Sequence, residues 1–206
     1  MNGQTLVERV REQKRTELDR LASDKALIAA TEATLEASAV LGIIAESERA
    51  VGTLYAEWGE QTAIEDAMAT FTTAADTARG NADRLAADLD DEATGAPITT
   101  TVAFDETVEA VAGGLIGQSL VLDGTLLQGI NFFVNEGAER QADVLRDVRT
   151  DVNNRINDGA VLLTSLCETD EDWGRAETAI ADVVEAAYGE YVERLGEMGI
   201  DPKPVC

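Results

Sequence analysis

The 206-residue chain carries 40 Asp and Glu against 16 Lys and Arg, a formal charge of −24, and has no histidine. The missing imidazole excludes Ser-His-Asp and Cys-His catalysis and every His-containing zinc site. An acidic tail or disordered chain is excluded too, because the acids are spread along the sequence and 45% of residues are hydrophobic.

So much self-repulsion strains a compact state in dilute buffer, whereas near 1 M salt the screening length falls to roughly 3 Å. Lysine is confined to Lys14, Lys25 and Lys203. Excess carboxylate with scarce lysine reads as the surface of a cytoplasmic protein from an extreme halophile.

Nearly all of the chain repeats at helical period, and no proline interrupts it between Met1 and Ala96. Thr5 and Glu8 have capping-box spacing for a first helix with Leu6, Val7, Val10, Leu18 and Leu21 in its stripe. Asp24 caps a second, carrying Leu27, Ile28, Thr31 and Leu35. The third, with Val40, Leu41, Ile44, Val51, Leu54, Tyr55 and Trp58, continues the second or breaks from it near Ser38. Thr62 opens a fourth through Ile64, Met68, Phe71, Ala75, Ala78, Ala82, Leu85 and Leu89, whose alanine face lets a neighbour come close.

Charge, glycine and proline mark residues 90–99 as a loop or linker between two helical halves of a single domain spanning 1–206, and Ile98–Val102 reads as briefly extended. Asp105 then caps a long apolar helix through Val108, Val111, Leu115, Ile116, Leu122, Leu126, Ile130 and Phe133. Its five glycines (113, 114, 117, 124 and 129) suit a central helix approached closely by others. A membrane span is the rival reading, and Gln118, Asp123, Gln128 and Asn131 argue against it. No apolar run reaches the roughly 18 residues of a spanning helix, and Met1–Thr5 starts no signal peptide.

Val144, Leu145, Val148, Val152 and Ile156 mark the next helix, running on toward Leu166. The last begins after Thr169-Asp170, holds its stripe from Trp173 through Tyr191 and Leu195 to Met198, and ends at Gly199 and Pro202. Cys167 sits in an apolar run and reads as a small buried hydrophobe, and neither it nor Cys206 has a close cysteine partner.

Few groups suggest chemistry. Glu32 and Glu36 are spaced i,i+4 and would share a helix face; an all-carboxylate site for Mn, Mg or Ca is the functional reading, a solvated acidic face the ordinary one. Asp123, between Leu122 and Gly124 in the most apolar helix, reads as a core network tied to one arginine. The basic residues of Glu8–Arg15 alternate with Glu8 and Glu12, which suits intrahelical ion pairs and not nucleic-acid binding.

Glu17–Trp58, with Leu-Ala-Ser-Asp-Lys-Ala-Leu near its start and Ala45-Glu46-Ser47-Glu48-Arg49-Ala50 near its end, resembles haloarchaeal rubrerythrin-family (ferritin-like) proteins. So does the ending from Ala187-Tyr188-Gly189-Glu190-Tyr191-Val192 to Gly199-Ile200-Asp201-Pro202-Lys203-Pro204-Val205-Cys206, its most specific part. The resemblance covers most of the chain. It implies an all-α, ferritin-like up-down helical bundle with additional N- and C-terminal helices. Such bundles hold two irons on Glu and Glu-x-x-His ligands. Here Arg49 stands where Glu46 would have its histidine, and Asn81 falls near a second such position. Arginine cannot ligate a metal, but its fixed charge can satisfy carboxylates that a metal once held. Glu46 and Arg49 can equally form a solvent-facing pair.

The resulting expectation is a non-enzymatic bundle without a di-iron site or other cofactor, acting as a structural or protein-interaction module. Its partner would be another protein or a second copy in a homo-oligomer, with no nucleic acid and no membrane. Glu32, Glu36, Glu46, Arg49, Asn81 and Asp123 are candidates for a former metal site or core polar network. The enzymatic alternative is a carboxylate-only oxidase or peroxidase. A regulatory partner of the transcription or translation machinery is a second alternative, which no basic surface supports.

Overall fold

The computed structural model describes residues 1–87 and 104–202. The linker read at 90–99, the extended stretch at 98–102 and Cys206 lie outside the described residues. Every regular element among those described is helical, so the protein is all-α.

Three short helices come first: α1 (Gly3–Gln13), α2 (Arg15–Leu21) and α3 (Asp24–Ala30). Two long ones follow, α4 (Ala37–Gln61) and α5 (Glu65–Ala86). Then come α6 (Thr107–Asn135), α7 (Glu139–Leu166) and α8 (Asp170–Glu197). The residues Ala110–Gln118 of α6 are wound as a π-helix, and all nine are buried.

Several local details differ from the sequence reading. Asn2, not Thr5, caps α1, its side chain accepting from the Thr5 amide at 2.9 Å. The single first helix divides at Lys14, whose φ of −103° and ψ of 21° leave the helical basin. Thr62 ends α4 instead of opening α5. Thr169 caps α8 by a reciprocal capping box with Asp172.

The most consequential difference is the break at 31–36, where Glu32 and Ala33 take positive φ values of 50° and 64°. Glu32 and Glu36 are therefore not one helix face: both are exposed, Glu32 in the connection and Glu36 as the extended N-cap of α4. The i,i+4 pairing expected of them is corrected, because no helix joins them.

α4 and α5 form a closely packed hairpin, and α6 lies centrally, touching α2, α3, α4, α7 and α8. By length and composition α6 is apolar enough to cross a membrane, yet 83% of its most apolar window is buried against the other helices. Its upstream half packs with Trp58, Phe71 and Ile180, its downstream half with Ile44, Leu145 and Tyr191. Alanine, leucine, valine and isoleucine fill most of both cores.

The glycines make the close approaches possible. A Cβ on Gly114 would stand 2.2 Å from the Trp58 ring. One on Gly3 would stand 1.9 Å from the Ala160 carbonyl oxygen, so α1 can lie against α7 only without a side chain there. The Gly3 amide also donates to Thr164 Oγ1 at 2.9 Å.

Candidate functional site

The stripe of α4 runs Ile44, Glu48, Val51, Tyr55 at spacings of four, three and four, and places a carboxylate among apolar side chains. The corresponding stripe of α5 is Ala74, Ala78, Asn81, Leu85. That of α7 is Val148, Val152, Arg155, Gly159. The three polar residues meet inside the bundle. Glu48 is 0% exposed, Asn81 3% and Arg155 4%.

Arg155 Nη2 donates to both carboxylate oxygens of Glu48, at 2.6 Å to Oε2. Asn81 Nδ2 makes a longer contact, 3.4 Å, to the same oxygen. The Asn81 carbonyl accepts from Arg84 at 2.8 Å. Arg84 in turn stands 3.6 Å from Asp147 and 3.8 Å from Asp151, so the network reaches the surface through α5 and α7.

On its other side the guanidinium stands over the Tyr55 ring, 5.8 Å from its centroid. The Tyr55 hydroxyl donates to the Gly114 carbonyl of the π segment at 3.2 Å. Burial raises the Glu48 carboxyl above its ordinary value, against the opposing pull of Arg155. Burial likewise raises the Tyr55 phenol.

Arg155 also floors a groove of about 560 Å³ between α5 and α7. Asp66, Asp151 and Asp158 stand on its rim.

Of the sequence candidates, only Asn81 belongs to this network. Glu46 and Arg49 form an i,i+3 ion pair on the surface, their side chains 50% and 47% exposed. Arg49 therefore does not replace a metal charge in the core; its position two residues before Val51 puts it on the outer face of α4. Asp123 makes a separate, half-buried cluster. Arg149 grips it with Nε at 2.7 Å and Nη2 at 3.1 Å, and Asn153 donates at 2.8 Å. Glu48 and Arg155 are the residues that sequence reasoning missed.

The donor set does not fit a di-iron centre. A pair of irons needs several converging carboxylates and imidazoles. Among the described residues the bundle core offers one carboxylate, Glu48, already held by an arginine that cannot ligate. Among the described residues no group of three or more Asp, Glu, Cys or His side chains converges as a metal site. Cys167 is buried at the end of α7, and burial pushes its thiol up to about 11.

Comparison of the chain with protein-family models, with curated proteins and with solved structures found no match.

Proposed function

We propose that this protein is a non-enzymatic member of the rubrerythrin-like helical bundles, adapted to a halophile cytoplasm, in which an ion pair holds the core position that relatives give to metal. It serves as a structural or protein-interaction module, joined to another protein or a second copy. The observation that carries this reading is the Glu48–Arg155 pair. A carboxylate enclosed in the bundle is met by a permanent cation from the facing helix, so the core charge is neutralised by the chain itself.

The test is iron loading. Protein in molar KCl, given Fe(II) in air and then dialysed against chelator-treated buffer, is expected to oxidise iron no faster than buffer. It should retain well under one metal ion per chain, the dialysis being needed because an acidic surface holds ions loosely. About two metals per chain after dialysis would favour the carboxylate-only oxidase instead.

A further inference from the structure

The groove between α5 and α7 lies above the buried pair and takes no part in it. Arg84 ties the two helices at one end, where it stands near Asp147 and Asp151. Beyond that tie the groove opens between them. Its α5 wall carries Asp66, Thr70, Thr73 and Thr77, spaced four, three and four. Its α7 wall carries Asn154, Asp158, Val161 and Ser165, spaced in the same way. Such spacing keeps each wall on one side of its helix for about 16 Å, or three turns. The buried Ala74, Leu115 and Leu162 line the floor.

These walls call for an apolar and cationic occupant. The hydroxyls of Thr70, Thr73 and Thr77 each donate to a carbonyl four residues back in their own helix. Across from them Val161 is 68% exposed, the most exposed large hydrophobic side chain among the described residues. The aspartates differ from others on the same two helices. Asp76 is met by Arg79 and Asp143 by Arg146, each three residues on. Asp158 has only Arg155 at that distance, turned inward to Glu48, and Asp66 has no basic residue within four positions. The one cation that lines the groove is thus committed elsewhere, and its exposed carboxylates lack a counter-charge.

We propose that this groove docks an amphipathic helix of another protein, about three turns long, with apolar residues on the inserted face and Lys or Arg on its flanks, opposite Asp66 and Asp158. A volume of about 560 Å³ suits the side chains of one helix face and not an enclosed helix. A second copy of this chain fits poorly, because a partner of charge −24 would set carboxylate against carboxylate. In molar salt the charges act only at contact, so they select the partner while the apolar face supplies most of the affinity. The inference rests on the interaction-module reading above and gives that module a surface.

The test uses the full chain in molar KCl with two fluorescein-labelled synthetic peptides of about 16 residues, long enough to form a helix. Both carry the same Leu and Ala stripe; one has Lys on its flanks, the other Glu. Fluorescence anisotropy is expected to show saturable binding of one Lys-flanked peptide per chain and much weaker binding of the other. Asp158→Arg should weaken the Lys-flanked peptide about tenfold and strengthen the Glu-flanked one. Val161→Ser should weaken the Lys-flanked peptide as well. Both positions are exposed, and circular dichroism checks that the variants fold. Binding that neither variant changes would reflect attraction to an acidic surface at large and would overturn the proposal, as would the absence of saturable binding. Wild-type protein that sediments as a dimer, dissociated by Val161→Ser, would give the groove to a second copy instead and overturn it too. Iron loading tests the underlying reading separately: a failed titration beside a negative iron result removes the groove and leaves the module.

Discussion

Glu48 and Arg155 provide the sharpest test of how this core is held together. Each is almost completely enclosed, and each is the other's charge partner. Replacing one leaves an uncompensated buried charge, which typically costs about 3–5 kcal/mol. Glu48→Leu should therefore lose roughly that much through the stranded guanidinium, and Arg155→Met a similar amount through the stranded carboxylate. The double variant should recover most of the loss, ending near the wild type or above it, because well-packed hydrophobes often replace a buried pair without penalty. A cost of roughly 1 kcal/mol is to be set against this for Asn81, which loses its acceptor.

Urea denaturation of the four proteins in molar KCl measures the cycle, the salt preserving the screening. Arg155→Met adds a signature in pH. The Glu48 carboxyl is raised in the folded state. Its contribution is thus fully present below the unfolded value of about 4.3 and is lost as pH rises through the folded value. Arg155→Met should accordingly gain stability on acidification relative to the double variant, which lacks the titrating group. Single substitutions that each cost under about 0.5 kcal/mol, or a cycle that is simply additive, would mean that the pair is solvated and that the account of the core is wrong.

Asp123→Ala should cost about 1–2 kcal/mol in the same assay, less than a fully enclosed pair, because water already reaches its two-pronged contact with Arg149; a neutral result would place that cluster in solvent. Arg49→Ala should change stability by no more than about 0.5 kcal/mol, since an exposed i,i+3 pair contributes little, and a larger loss would restore Arg49 to a structural role. The charge of −24 predicts strong helical circular dichroism in molar KCl and marked loss of cooperativity near 0.1 M, where screening extends about 10 Å; an unchanged melting temperature across that range would remove the halophile reading.

The all-α class was legible because the apolar stripes are long and regular, and α8 keeps its register from Trp173 to Leu195. The break before α4 was legible only as an alternative and placed near Ser38, several residues late, because Thr31-Glu32-Ala33-Thr34 contains neither glycine nor proline and two ordinary residues adopt positive φ there. Choosing Glu46 over Glu48 followed from matching a motif by spacing alone. Two helix positions differ by about 200°, which separates the inner face from the outer. The stripe itself carried the missing signal. Glu48, Asn81 and Arg155 each occupy an apolar position of their own helix, and a carboxylate, an amide and a guanidinium found at such positions on three helices are candidates to meet. Which of them meet depends on how those helices are packed, and periodicity does not encode that.

The π segment of α6 has a consequence for how this chain tolerates change in length. Its i→i+5 bonds hold more backbone per turn than the α-helical stretches on either side, so it stores surplus chain without turning its flanks out of phase. Val111 and Leu115 thereby face one core while Leu126, Ile130 and Phe133 face the other. A residue removed from this reserve would let the wide turns tighten, leaving the downstream half where it is. The same deletion beyond Ser119 would rotate everything after it by about 100° and carry Phe133 away from its core. In a helix enclosed by its neighbours, that reserve is the one place where an alignment gap need not mean a different fold.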